Sequence, residues 1–157
     1  FIQTLTADAA AKHEEVVLAA YSNSGTAAWD FYSGEASASP HADKIGDVGN
    51  SYAIQYYDLL VATALAIEAA GDVDSAAWSQ AMYDVTGGDG KVVYTYKDGV
   101  EALRAGEAIN YDGVTGSMEY TDTGVVAGIF GIFRWQGEES LEQVALADGD
   151  KVLELDQ

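Results

Sequence analysis

Cysteine is absent from the 157 residues, which rules out disulfides, thiolate nucleophiles and cysteine metal sites and leaves the redox compartment open. Basic residues are scarce: seven Lys and Arg stand against twenty-six Asp and Glu, for a formal charge of -19. A field of that sign repels nucleic acid and anionic membrane surfaces, so nucleic-acid binding is excluded as a function class. Acidic residues are scattered through every segment, as a solvated coat and not a tail. Such a coat suits a protein kept soluble in brine, or an ordinary acidic extracellular protein. There are two histidines and a single proline, Pro40. Neither His13 nor His41 lies beside a G-x-S-x-G nucleophile elbow. The G-G-D-G-K run ending at Lys91 is not a phosphate loop, because Val85 stands where its first glycine belongs and Val92 where Ser or Thr would follow the lysine. Carboxylates are numerous enough to pair by chance, and Thr121 to Gly124 lacks the length and ligand spacing of a calcium loop. The expectation is no catalytic residue, no metal and no cofactor.

What is present is a core: 48% of residues are hydrophobic and 11% aromatic, enough for one globular unit. Its organising stretch is Asn50 to Gly71, N-S-Y-A-I-Q-Y-Y-D-L-L-V-A-T-A-L-A-I-E-A-A-G. Asn50 or Ser51 can cap a helix and Gly71 can end it in the left-handed conformation. Tyr52, Tyr56, Leu59, Leu60, Thr63 and Ile67 share one face, yet Ile54, Tyr57, Val61, Ala64 and Leu65 fill much of the rest, so the helix is expected to be covered on most sides. The uncharged apolar run Leu59 to Ile67 is about half of the ~20 residues a membrane span needs. The stretch reads as the central helix of a soluble α/β core.

Around it, Glu15 to Tyr21 reads as a buried strand and Thr26 to Tyr32 as a helix capped by Thr26 with Trp29 inward. Ser33 to Gly49 reads as a loop, and Ala76 to Val85 as a helix capped by Asp74 or Ser75. Gly87 to Gly90 is a turn, Lys91 to Tyr96 a strand, and Gly99 to Arg104 a short helix. Gly116 to Thr121 and Val125 to Trp135, joined by a turn at Asp122 to Gly124, form an expected closing hairpin before a last strand, Glu142 to Leu146.

Tyrosine is abundant, with ten residues, and Tyr52, Tyr56 and Tyr57 gather at the start of the central helix. A tyrosine offers a flat apolar wall and one hydroxyl, suited to a cleft for a small amphipathic ligand or simply to a core beside a sheet. Tyr57 reads as core; Tyr52, in the first turn, fits either role.

Tyr57 to Gly71, Y-D-L-L-V-A-T-A-L-A-I-E-A-A-G, followed by the short helix with Trp78 and Met82, resembles the Y-D-A helix of type I periplasmic binding proteins. These are the solute-binding components of ABC importers for branched-chain amino acids and related solutes. Gly99 to Gly116 is similar to the family's A-G-x-x-I-x-Y-x-G turn and its G-x-x-G. Ser117 to Trp135 is similar to its F-D-x-x-G-D hairpin, with Tyr120 for the aromatic, Asp122 shifted by one and Val125 where an acid is usual. The likeness runs from about Ala28 to Trp135 and touches only the C-terminal portion of a two-lobed fold. It implies three regions: 1–27 as the end of a preceding lobe or hinge, 28–135 as the binding-protein-like part, and 136–157 as terminal strand and tail. It further implies a non-enzymatic, extracytoplasmic chain that holds an amino acid or similar small polar solute and delivers it to an ABC permease. The remainder of a longer chain or another copy would complete the sheet. Tyr52, five residues before the Y-D pair, matches a ligand-contacting aromatic, while Tyr57 and Asp58 are expected to pack and hydrogen-bond. The same fold also serves as a ligand sensor, or as an assembling surface protein without ligand.

Overall fold

A computed structural model describes residues 17–149 apart from 24, 122, 127, 138 and 139. Expectations that fall on residues 1–16, His13 among them, and on Asp122 lie outside the described residues. The chain is mixed α/β. In order it forms β1 (Val17–Tyr21), α1 (Ala28–Ala38), α2 (Ala42–Ile45), α3 (Ser51–Ala70), α4 (Ser75–Thr86), β2 (Lys91–Val93), α5 (Tyr96–Arg104), β3 (Ile109–Gly113), β4 (Gly116–Ser117), β5 (Phe130–Gly137) and β6 (Ser140–Ala147).

α3 has the ends its sequence announces. The Asn50 side chain accepts from the Tyr52 and Ala53 amides at 3.0 and 3.3 Å, and Gly71 closes the helix at φ 63° with its N–H on the Ile67 and Glu68 carbonyls. By length and composition this helix could cross a membrane. Here one face of it is core: Val61, Ala62, Leu65 and Ala66 meet Ala81, Met82 and Val85 of α4, Ala102 of α5, and Val93, Ile109 and Tyr111 of β2 and β3. Each fully buried Leu or Ile in such a face contributes about 1.5–3 kcal/mol. A second cluster joins Ile54 to Ala28 and Val114, edged by Tyr21, Trp29, Tyr32, Tyr57 and Tyr94.

The strands form two three-stranded sheets, β1-β5-β6, antiparallel throughout, and β2-β3-β4, in which β2 and β3 run parallel across the α5 crossover. Among the described residues β2 pairs only with β3, so its outer edge is open, with Lys91 and Val92 exposed.

Four expectations change. Ser33 to Gly49 is not a loop: α1 runs on to Ala38 and α2 follows. Its Gly and Ser content hid an Ala-rich helix that stops where Ser39, extended at ψ 139°, precedes Pro40. Thr26 does not cap α1, whose cap is Ala27; its hydroxyl donates to the Val114 carbonyl at 2.9 Å. The strand expected over Lys91 to Tyr96 ends at Val93, and α5 begins at Tyr96, ahead of the expected Gly99, since Thr95 Oγ1 accepts from the Asp98 amide at 3.1 Å and starts the helix there. The closing hairpin is β5–β6. The turn before Val125 leaves only an isolated bridge between Tyr120 and Val126, and Gly116–Ser117 pairs back onto Asp112–Gly113.

α3 is also less covered than expected. Its face opposite the core, with Tyr52, Tyr56, Leu59 and Leu60, is exposed; Tyr52 is 73% and Leu60 71% accessible.

Candidate functional site

Asp58 sits in the second turn of α3 and is fully buried, 0% accessible. Both its oxygens are saturated. Oδ1 accepts from the Tyr111 hydroxyl and the Val114 amide, each at 2.8 Å, and Oδ2 from the Thr115 amide at 2.8 Å and the Thr115 hydroxyl at 2.7 Å. A buried carboxylate survives only with such a set of donors. Burial pushes its pKa up, and the donors, led by Thr115, pull it part of the way back. Burial first and the Asp58 charge second raise Asp112 and, more strongly, Tyr111. The carboxylate also fills the space beside Gly113, where a Cβ would lie 2.6 Å from its atoms. Asp58 thus locks the 111–115 turn onto α3. Tyr57, beside it, packs its ring against Tyr32 at 4.7 Å, so the Y-D pair does structural work.

The locked turn forms one wall of a groove. A cavity of about 160 Å³ is lined by Tyr21, Gln55, Tyr56, Leu59, Thr115, Met118, Tyr120 and Val126. Its neighbour, of about 220 Å³, is lined by Ala20, Tyr21, Ser51, Tyr52, Gln55 and Phe130. Tyr21 and Gln55 belong to both, so the two are halves of one groove running along the first turns of α3. The β1–β5 ladder forms the facing wall by placing Tyr21 opposite Phe130, their rings 4.5 Å apart. Tyr52, the site residue expected from the sequence, lies at the mouth of this groove. Tyr57 and Asp58 are behind it, in the core.

Sequence reasoning missed Tyr21, Gln55 and Phe130. Gln55 carried a signal: it is the lone side-chain amide in a mostly apolar helix, three residues after Tyr52 and therefore on the same side. The other two arrive from distant strands.

A larger cavity of about 350 Å³ lies by the open edge of β2, between Lys91, Val92 and the α5 residues Asp98 and Glu101. Its walls mix Val92, Val93, Tyr94, Ala102 and Ala105 with the charged Lys91, Asp98, Glu101 and Glu107, and its ionic groups are partly spent on one another, as in the Lys91–Glu107 pair at 3.1 Å. The aromatic groove is the better binding geometry. Among the described residues no group of three or more His, Asp or Glu could hold a metal ion.

Compared with protein-family models, curated proteins and solved structures, the chain shows no match.

Proposed function

We propose that this chain is part of an extracytoplasmic solute-binding component of an ABC importer, of the type I periplasmic-binding-protein kind, which holds an amino acid or similar small polar solute between two lobes and passes it to a permease. The observation that carries the reading is the groove at the start of α3. An aromatic-walled cleft with one convergent amide suits a small amphipathic molecule, and Tyr52 stands at its mouth as in the resemblance. Supporting it, the outward face of α3 and the outer edge of β2 are the surfaces that further chain of the same protein would cover. Calorimetry with a panel of free amino acids tests it: binding of at least one, weakened about tenfold or more in Tyr52→Ala, is expected. Heat signals absent across the panel with the complete protein would sink it.

The exposed stripe of α3 also favours a second reading, an assembling surface protein without ligand. Concentration-dependent mass by light scattering, abolished in Leu60→Glu, together with no solute binding, would select that reading over the first.

A further inference from the structure

The groove holds no ionisable carboxyl, ammonium or guanidinium group among its described lining residues, in a chain whose acidic side chains otherwise reach every segment. Asp58 is the nearest buried carboxylate to its Thr115 wall, and both its oxygens are already occupied by four donors. What remains is four kinds of group: ring faces from Tyr21, Tyr52, Tyr56, Tyr120 and Phe130, aliphatic surface, the hydroxyls of Ser51, Thr115 and the tyrosines, and the side-chain amide of Gln55. That amide lies half-buried where the two cavities meet, with no hydrogen-bond partner among the described residues, although it carries both donors and an acceptor.

We infer that this groove selects for an uncharged moiety with one flat apolar face and a neutral hydrogen-bonding group, an amide or hydroxyl, and that Gln55 is the residue that sets the selection. An anion entering here meets the field of a chain at -19 and finds no cation to replace its water. A primary ammonium is drawn by the same field but finds only hydroxyls and one amide oxygen for three N–H donors. The attraction of exposed ring faces is worth only a few-fold in affinity, less than the hydration it gives up. A neutral amide or hydroxyl pays no such penalty: its apolar face lies on the rings and its polar group pairs with Gln55. The inference rests on the solute-binding reading above for the groove being a ligand site, and adds which portion of the solute this chain would hold.

Three isosteric probes separate the cases: benzamide, benzoate and benzylamine, titrated at one pH and ionic strength and followed by saturation-transfer NMR and calorimetry. Benzamide is expected to bind, with both charged probes at least about tenfold weaker. Gln55→Leu, at a position that is not fully buried, should weaken benzamide about tenfold with an unchanged circular dichroism spectrum. Gln55→Glu should reverse the order of benzamide and benzylamine. Equal binding of a charged probe, no binding of any of the three, or a Gln55→Leu variant indistinguishable from the parent overturns the inference. The outcomes also separate it from the importer reading. Selective benzamide binding with no response to free amino acids leaves the inference standing and removes that reading. Amino-acid binding that is indifferent to both Gln55 substitutions does the reverse.

Discussion

Asp58 has four donors on two oxygens, and no other side chain can satisfy that set. Asparagine in its place would turn an amide NH₂ toward either the Thr115 N–H or the Val114 N–H, leaving a buried donor facing a donor. Asp58→Asn is therefore expected to destabilise the fold by about 2–3 kcal/mol, read as a lower urea midpoint with an unchanged slope. Gly113→Ala, whose Cβ would lie 2.6 Å from the same carboxylate, should cost about 1–3 kcal/mol by overpacking. The pH dependence follows from the direction of the shifts. Asp58 and Asp112 are both raised in the fold, chiefly by burial, so the folded chain holds protons that the unfolded chain has released. Their contribution to stability is present in full below the ordinary carboxylate pKa and is lost as pH rises through the raised values. Urea midpoints should accordingly increase on acidification from neutral pH toward the ordinary carboxylate range, and the increase should be smaller in Asp58→Asn. A midpoint that falls over that interval would contradict the assignment.

At the scale of elements, caps decide where helices begin, and hydrogen bonds between distant segments decide where the sequence misleads. Asn50 is free to accept from two amides, and α3 starts where its sequence indicates. Asn50→Ala should cost about 1 kcal/mol, measurable as a shift in the urea midpoint. Thr26 lies one residue outside the cap position, which Ala27 occupies, and its hydroxyl donates to the Val114 carbonyl, tying α1's entry to the turn that Asp58 holds. The hairpin expected around Asp122 to Gly124 fails for a related reason. Val114 and Thr115 give their amides to Asp58, and Thr115 gives its carbonyl to the Ile129 amide at 2.8 Å. The strand that begins at Gly116 is thereby pulled toward β3 and pairs for two residues only.

At the scale of the whole molecule, charge and uncovered apolar surface set the behaviour. Nineteen excess negative charges repel one another in the compact state more than in the expanded one. Added sodium chloride should therefore raise the urea midpoint over the range in which the Debye length shrinks from about 10 to 3 Å. The outward face of α3 bears Tyr52, Tyr56, Leu59 and Leu60 without an intervening charge. In the chain as described, Leu60→Lys should change stability by no more than about 0.5 kcal/mol, as for an exposed site. In a longer chain or an assembly that covers this face, the same substitution should cost well above that, and comparing the two midpoints measures whether the face is covered.

The sequence by itself determined the central helix, its two ends, the helix beginning near Ser75, and the mixed α/β character. Each of these rests on periodicity or on a cap a few residues away. Periodicity read Tyr57 as core and left Tyr52 open between core and cleft. Only the tertiary structure decided which residues meet. Asp58 finds its donors 53 to 57 positions along the chain, and Gln55 is joined by Tyr21 and Phe130 from two strands that pair across the sequence. No local pattern carries such contacts, because they follow from how whole elements stack to bury their apolar faces. The groove, and its freedom from charge, came into being only once that stacking was complete.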